Sequence, residues 1–193
     1  EALAGRAGAE LTVATDLSPR FLARQTGARV VADEELLPFA PASFDLIASA
    51  LALHWVNDLP GALLQIRQAL KPDGLFLAAM LGGNTLTELR QCLLQAEAEI
   101  EGGASPRVSP LADLRDAAGL RQRAGFALPV ADIDRLTVTY SDALALMRDL
   151  RGMGETNAVF ERRRTPLRRQ TLLRAAALYG ERLAQGDGRI AAT

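Results

Sequence analysis

The chain has 193 residues, of which 49% are hydrophobic and 23% charged, with a formal net charge of -1. That is enough apolar mass for one good core, or for one domain with an insertion, and it places the chain among ordinary soluble globular proteins. The near-neutral balance gives no general drive toward nucleic acid, and no run approaches the roughly 18 apolar residues of a membrane span. No charged-then-apolar leader is visible, so we expect a cytoplasmic setting or an organelle matrix. Residues 141–193 carry 10 Arg against 6 acids, and residues 1–140 carry 12 basic against 17 acidic side chains, which makes the tail mildly basic. Cys92, the single cysteine, cannot form an intrachain disulfide and falls on the apolar stripe of a helical pattern, so a core role is expected.

In chain order, the short apolar runs 11–15 (LTVAT), 29–32 (RVVA), 44–49 (FDLIAS) and 75–80 (LFLAAM) read as strands. Their near-continuous hydrophobicity predicts burial on both faces, hence a parallel sheet with helices on each side. After the third run, Asp58 caps a helix, Pro60 sits in its first turn, and Leu63, Ile66 and Leu70 share a flank. KPDG at 71–74 then ends the helix with a turn. Residues 84–103 form a long amphipathic helix with Leu86, Leu89, Leu93, Ala96 and Ile100 on one stripe and a Gly pair as its stop. A helix is expected over 109–120, a strand over 132–140, and helices thereafter, with Ser141 and Thr165 as caps and Pro166 at a first helical position. The predicted class is α/β: a Rossmann-like, mostly parallel sheet with flanking helices and a helical insertion near the C-terminus.

In such sheets, ligands bind beyond the carboxyl ends of the strands. Asp16 ends the first visible strand, Asp33 the second and Ser49 the third. A strand-end carboxylate accepts both hydrogen bonds of a ribose diol in a charge-assisted pairing. An acid one strand over accepts the amino group of adenine, with Leu36, Leu37 and Phe39 as apolar walls. Together these describe an adenosine site.

TDLSP, ADEELLPFAPASFDLI and SALALHWVNDLPGALLQIRQALKPDGLFLAAM, in that order, resemble a class I S-adenosylmethionine-dependent methyltransferase domain over about residues 1–82. The resemblance implies S-adenosylmethionine as cofactor. Asp16, with Leu17 beside it, would hold the ribose. Asp33, with Glu34 beside it, would take the adenine amino group, and Ser49, Ala50 and Leu51 would lie along the methionine moiety. The segment from DLRGMGETN at 149–157 to RIAAT is similar to the family around mitochondrial complex I assembly factor 5 and its bacterial relatives. It is less closely similar to the malonyl-acyl-carrier-protein methyltransferases of biotin synthesis. The first family implies arginine hydroxylation in a complex I subunit, the second methyl-ester formation on a carrier-bound malonyl group. A glycine-rich loop after a first strand, which the resemblance also implies, is not found: AGRAGAE at 4–10 reads as a helix end and a turn. The chain stops at RIAAT, where both families continue into a last strand, and a longer parent protein is expected.

These readings divide the chain into a cofactor domain over 1–140, N-terminally incomplete, and a helical substrate or partner subdomain over 141–193. The expected activity is methyl transfer to a small-molecule, carrier-bound or protein substrate. The alternative is an assembly-factor-like protein, either an arginine hydroxylase or a non-catalytic scaffold. His54, the only histidine, stands where a substrate pocket would open and is a candidate base, as well as a candidate packed residue. Glu155 and Asn157 sit in a Gly-rich break between helices, a place where loops carry function. The Arg162 to Arg169 segment is either a solvated face or a surface for an acidic protein partner. No metal motif is seen.

Overall fold

β-Branched Val13 and Thr15 favour extended backbone, and Val13–Asp16 forms strand β1. Ser18 is extended and Pro19 opens the one-turn helix α1, Pro19–Leu22, because its fixed φ suits a first helical position. Strand β2, Ala28–Val31, runs parallel to β1 with Asp16 opposite Val31. The computed structural model describes residues 8–105, 107–108, 124–127, 130–155, 157 and 162–193.

The next segment is a βαβ unit. Strand β3 is Phe44–Ala50, a 3₁₀ turn covers Leu53–Trp55, helix α2 is Leu59–Ala69, and β4, Leu70–Ala79, lies parallel to β3. Asp58 caps α2 by accepting from the Gly61 N–H at 3.0 Å. A Cβ on Gly61 would collide with that carboxylate, so the cap requires glycine. Leu63, Ile66 and Leu70 are buried as their spacing implies. KPDG does not separate helix from strand: it lies within β4, where the register shifts between Phe44 and Leu46 and Asp73 takes a positive φ of 61°.

Two compact units emerge, Glu1–Met80 with Ala117–Val130 and Leu81–Asp116 with Ala131–Thr193. In the first unit the parallel strands form two separate two-stranded sheets, β1–β2 and β3–β4. Leu53, Ile66 and Leu70 form its core with Leu37, Ile47, Val56, Leu59, Phe76 and Phe126 packed on them. Burial on both strand faces, expected from the apolar runs, is not observed among the described residues. Val31 is 58% exposed, Leu75 55% and Leu77 48%.

In the second unit, α3 (Thr87–Glu101) and α5 (Arg169–Leu183) sandwich the core with α4 (Ala143–Met153) and the antiparallel strands β5 (Val138–Tyr140) and β6 (Ile190–Ala192). Leu89, Cys92, Leu93 and Ala96 are buried along the predicted stripe, and Gly102 ends α3 in the left-handed region. Asp142, not Ser141, caps α4, because its carboxylate accepts from the Ala145 N–H at 2.7 Å. Thr165 does not cap α5, which starts four residues later; its hydroxyl accepts from Arg163 Nε instead. The closing residues Ile190–Ala192 form β6, paired with β5. Of the strand expected over 132–140, only 138–140 is extended and paired. The helix expected over 109–120 lies outside the described residues. Among those residues no helix is long and apolar enough to cross a membrane.

Candidate functional site

Asp16 and Asp33 both stand at carboxyl ends of neighbouring parallel strands. Asp16 is the last residue of β1, and Asp33 lies two residues beyond its cross-strand partner Val31. Each carboxylate is pinned by a local turn. Asp16 Oδ1 accepts from the Ser18 N–H at 2.7 Å, and Asp33 Oδ1 accepts from the Glu35 N–H at 2.9 Å. In both cases the structure commits one oxygen to the backbone, and the other is the one available to a ligand. Leu17 and Leu36, adjacent to these turns, are 59% and 77% exposed and stand as apolar walls. The other two expected walls are used internally. Leu37 packs on the core of the first unit, and Phe39 meets Phe44 edge-on at 4.9 Å.

Ser49 and Ala50 end β3 opposite Ala78 and Ala79 of β4. Leu51 follows with a φ of 55°, held by its N–H to the Ala79 carbonyl at 2.8 Å. A bulky residue in the left-handed region stores strain, and such positions concentrate at binding sites. His54 lies in the 3₁₀ turn against Trp55, ring centroids 5.1 Å apart. Of the stretch 4–10, only Gly8–Glu10 fall within the described residues.

Three residues that sequence reasoning missed bind the acid loop to the rest of the unit. Glu35 Oε1 accepts from the Asn57 backbone N–H at 2.6 Å and from Asn57 Nδ2 at 2.9 Å. Gln65, on α2, donates to the Glu35 carbonyl at 2.8 Å and accepts from the Leu37 N–H at 2.9 Å. The Asn57 N–H holds the Glu35 carboxyl below the usual glutamate range. These partners are 22 to 30 residues apart in sequence, and no local pattern marks them.

The remaining candidates belong to the second unit. The Glu155 N–H bonds the Leu150 carbonyl at the end of α4, and Asn157 follows two residues on. Arg163, expected on a solvated or partner-facing segment, is instead tied internally. Its Nη1 lies 3.0 Å from Glu97 and 2.6 Å from Glu101. Arg168 and Arg169 are exposed.

Parallel strands, acids at their carboxyl ends and a βαβ crossover are the elements of a Rossmann-like α/β fold. Residues 1–78 match the methyltransferase domain family. The YcgJ protein from Bacillus subtilis shares the fold with a TM-score of 0.57 at 14% identity, covering 93% of this chain and 76% of that one. An S-adenosylmethionine dependent methyltransferase from Mesorhizobium loti does so with a TM-score of 0.50 at 22% identity, covering 77% and 74%.

In sequence, the chain is 51% identical to the arginine-hydroxylase NDUFAF5, mitochondrial, of Danio rerio over 85% of this chain and 51% of that protein. The Homo sapiens protein of the same name is also 51% identical, over 85% of this chain and 47% of its own length. The malonyl-[acyl-carrier protein] O-methyltransferase of Laribacter hongkongensis (strain HLHK9) is 42% identical over 90% of this chain and 56% of that protein. The chain thus spans about half the length of the curated relatives it matches.

The match of residues 1–78 to the methyltransferase domain family makes S-adenosylmethionine the group to test against this site. The donor set fits the adenosine end of that molecule: two ionisable carboxylates, each with one oxygen uncommitted, flanked by exposed leucines. Ser49 and Ala50 close β3, and Leu51 follows with a strained backbone.

Proposed function

We propose that the protein is an S-adenosylmethionine-dependent methyltransferase acting on a small-molecule, carrier-bound or protein substrate. The observation that carries this is the placement of Asp16 and Asp33 on adjacent parallel strand ends, each with one carboxylate oxygen left for a ligand. In this reading Asp16 and Leu17 hold the ribose, Asp33 and Glu34 the adenine edge, and Ser49 to Leu51 the methionine moiety. The cofactor supplies a methyl group on a sulfonium, and the protein's task is to align the acceptor in line with the departing sulfur and to exclude water. Within the first unit, His54 is proposed to face the substrate and take a proton; Glu155 and Asn157 are proposed separately as contact residues of the second unit.

The segment 141–193 is proposed to serve substrate or partner recognition. Arg168 and Arg169 offer an exposed basic pair for an acidic partner such as a carrier protein. The buried thiol of Cys92 suits a reducing compartment, which we propose is the cytoplasm; the hydroxylase relatives bear the word mitochondrial in their names.

A second reading is hydroxylation of a protein arginine, favoured by the 51% identity to proteins named arginine-hydroxylase against 42% to the carrier-protein methyltransferase. Mass spectrometry of candidate substrates separates the two, since methylation adds a net CH2 and hydroxylation a net oxygen. The cofactor reading is tested by titrating S-adenosylhomocysteine into the full-length protein and its Asp16→Ala variant. Loss of a charge-assisted bond to the ribose should weaken binding about ten-fold or more. Equal affinity in both proteins would remove Asp16 from the site. No binding to either would favour a scaffold.

A further inference from the structure

We propose that Gln65, Glu35 and Asn57 form a clamp that sets the position of Asp33 and so determines recognition of the adenine amino group; this rests on the cofactor reading above. Asp33 is exposed, and a surface carboxylate alone has no fixed direction. Here its Oδ1 is bonded to the Glu35 N–H, so its direction follows the backbone at residue 35.

That backbone is in turn held from a distance. Gln65 donates to the carbonyl of Glu35 and accepts from the N–H of Leu37, the pair of bonds a neighbouring strand would make. Past the end of β2 no strand pairs with residues 35–37 among those described, and the side-chain amide of Gln65 takes that place. Glu35 then reaches the loop after β3 through both N–H groups of Asn57. Four hydrogen bonds from residues 57 and 65 converge on two residues of one loop, Glu35 and Leu37, immediately beside the carboxylate. The same bonds keep Leu37 on the core, so stability alone cannot serve as the readout.

The test uses two ligands that differ only at the adenine edge: S-adenosylhomocysteine, which has the amino donor, and S-inosylhomocysteine, which has an oxo group there. Calorimetry on the full chain should show the adenosyl ligand binding about ten-fold or more tightly, the worth of one charge-assisted bond. In Gln65→Ala the adenosyl affinity should fall by about that factor while the inosyl affinity stays within about two-fold. Glu35→Ala should behave likewise, and Glu35→Gln, which keeps an oxygen for Asn57, should restore the preference. If Gln65→Ala weakens both ligands equally, or neither, or if Glu35→Gln fails to restore what Glu35→Ala loses, the clamp has no positioning role. Failure of the unmodified protein to bind either ligand would instead overturn the cofactor reading, and the clamp with it.

Discussion

Glu97 on α3 is 0% exposed, and a carboxylate there is tolerable only because every lone pair is claimed. Oε1 accepts from Arg107 Nε at 3.0 Å, from Arg107 Nη2 at 2.6 Å and from Arg163 Nη1 at 3.0 Å. Oε2 accepts from the Ser105 N–H at 2.6 Å and from Ser105 Oγ at 2.8 Å. In Glu97→Ala, Arg163 would keep its ion pair with Glu101, but the Arg107 side chain, 13% exposed, would lose its carboxylate. Stranding one member of a buried pair costs about 3–5 kcal/mol. For a chain of this length that corresponds to a fall in Tm of roughly 10 °C.

Urea and thermal unfolding followed by circular dichroism would measure it. Adding Arg107→Met to Glu97→Ala should recover part of the loss, since the uncompensated cation disappears with it. A loss below about 1 kcal/mol, the worth of an exposed pair, or strict additivity in the double variant would refute the argument. The pH dependence gives a second check. Burial pushes the Glu97 carboxyl up, but the bonds from Arg107 and Ser105 outweigh it and hold the group below the ordinary glutamate range. A depressed folded value means the stabilisation is complete above the unfolded value of about 4.3 and fades as pH falls through the folded one. The Glu97→Ala protein should therefore lack part of the acid sensitivity that the unmodified protein shows below about pH 4.3.

Cys92 is 1% exposed and burial pushes its thiol up, so a disulfide reagent should label it only on unfolding; prompt labelling of the native protein would contradict the packing. The Tyr179 hydroxyl donates to the Ala191 carbonyl at 2.8 Å, and Tyr179→Phe should lower the urea-unfolding free energy by about 1 kcal/mol by leaving that acceptor unsatisfied.

What the sequence made legible was local. Asp58 and Pro60 announce the start of α2 within a few residues, and the stripe from Leu89 to Ala96 announces which face of α3 is buried. Asp16 and Asp33 were readable because a β-prone run that stops on an acid is itself a local signal. Caps failed where two neighbours compete: Ser141 lost to the carboxylate of Asp142, and Thr165 was drawn off by Arg163. The Glu35, Asn57 and Gln65 clamp was not legible, because its partners lie 22 to 30 residues apart and share no periodicity. Arg163 misled for the same reason, since its acids lie on α3, far away in sequence.

The two kinds of information combine at the site. Local turns give each carboxylate its single committed oxygen, through the N–H two residues on, and that is a property of Asp16-Leu17-Ser18 and Asp33-Glu34-Glu35 alone. Their spacing is set by pairing: Asp16 faces Val31 across the β1–β2 ladder, which places Asp33 one turn past the neighbouring strand end. Because side chains alternate between faces of a strand, moving the acid from position 16 to position 15 would send it to the opposite face of the sheet. The composition would be unchanged and both acids would remain, but they would no longer address the one ligand proposed for them. The proposed adenosine hook is therefore a statement about register as much as about residue type.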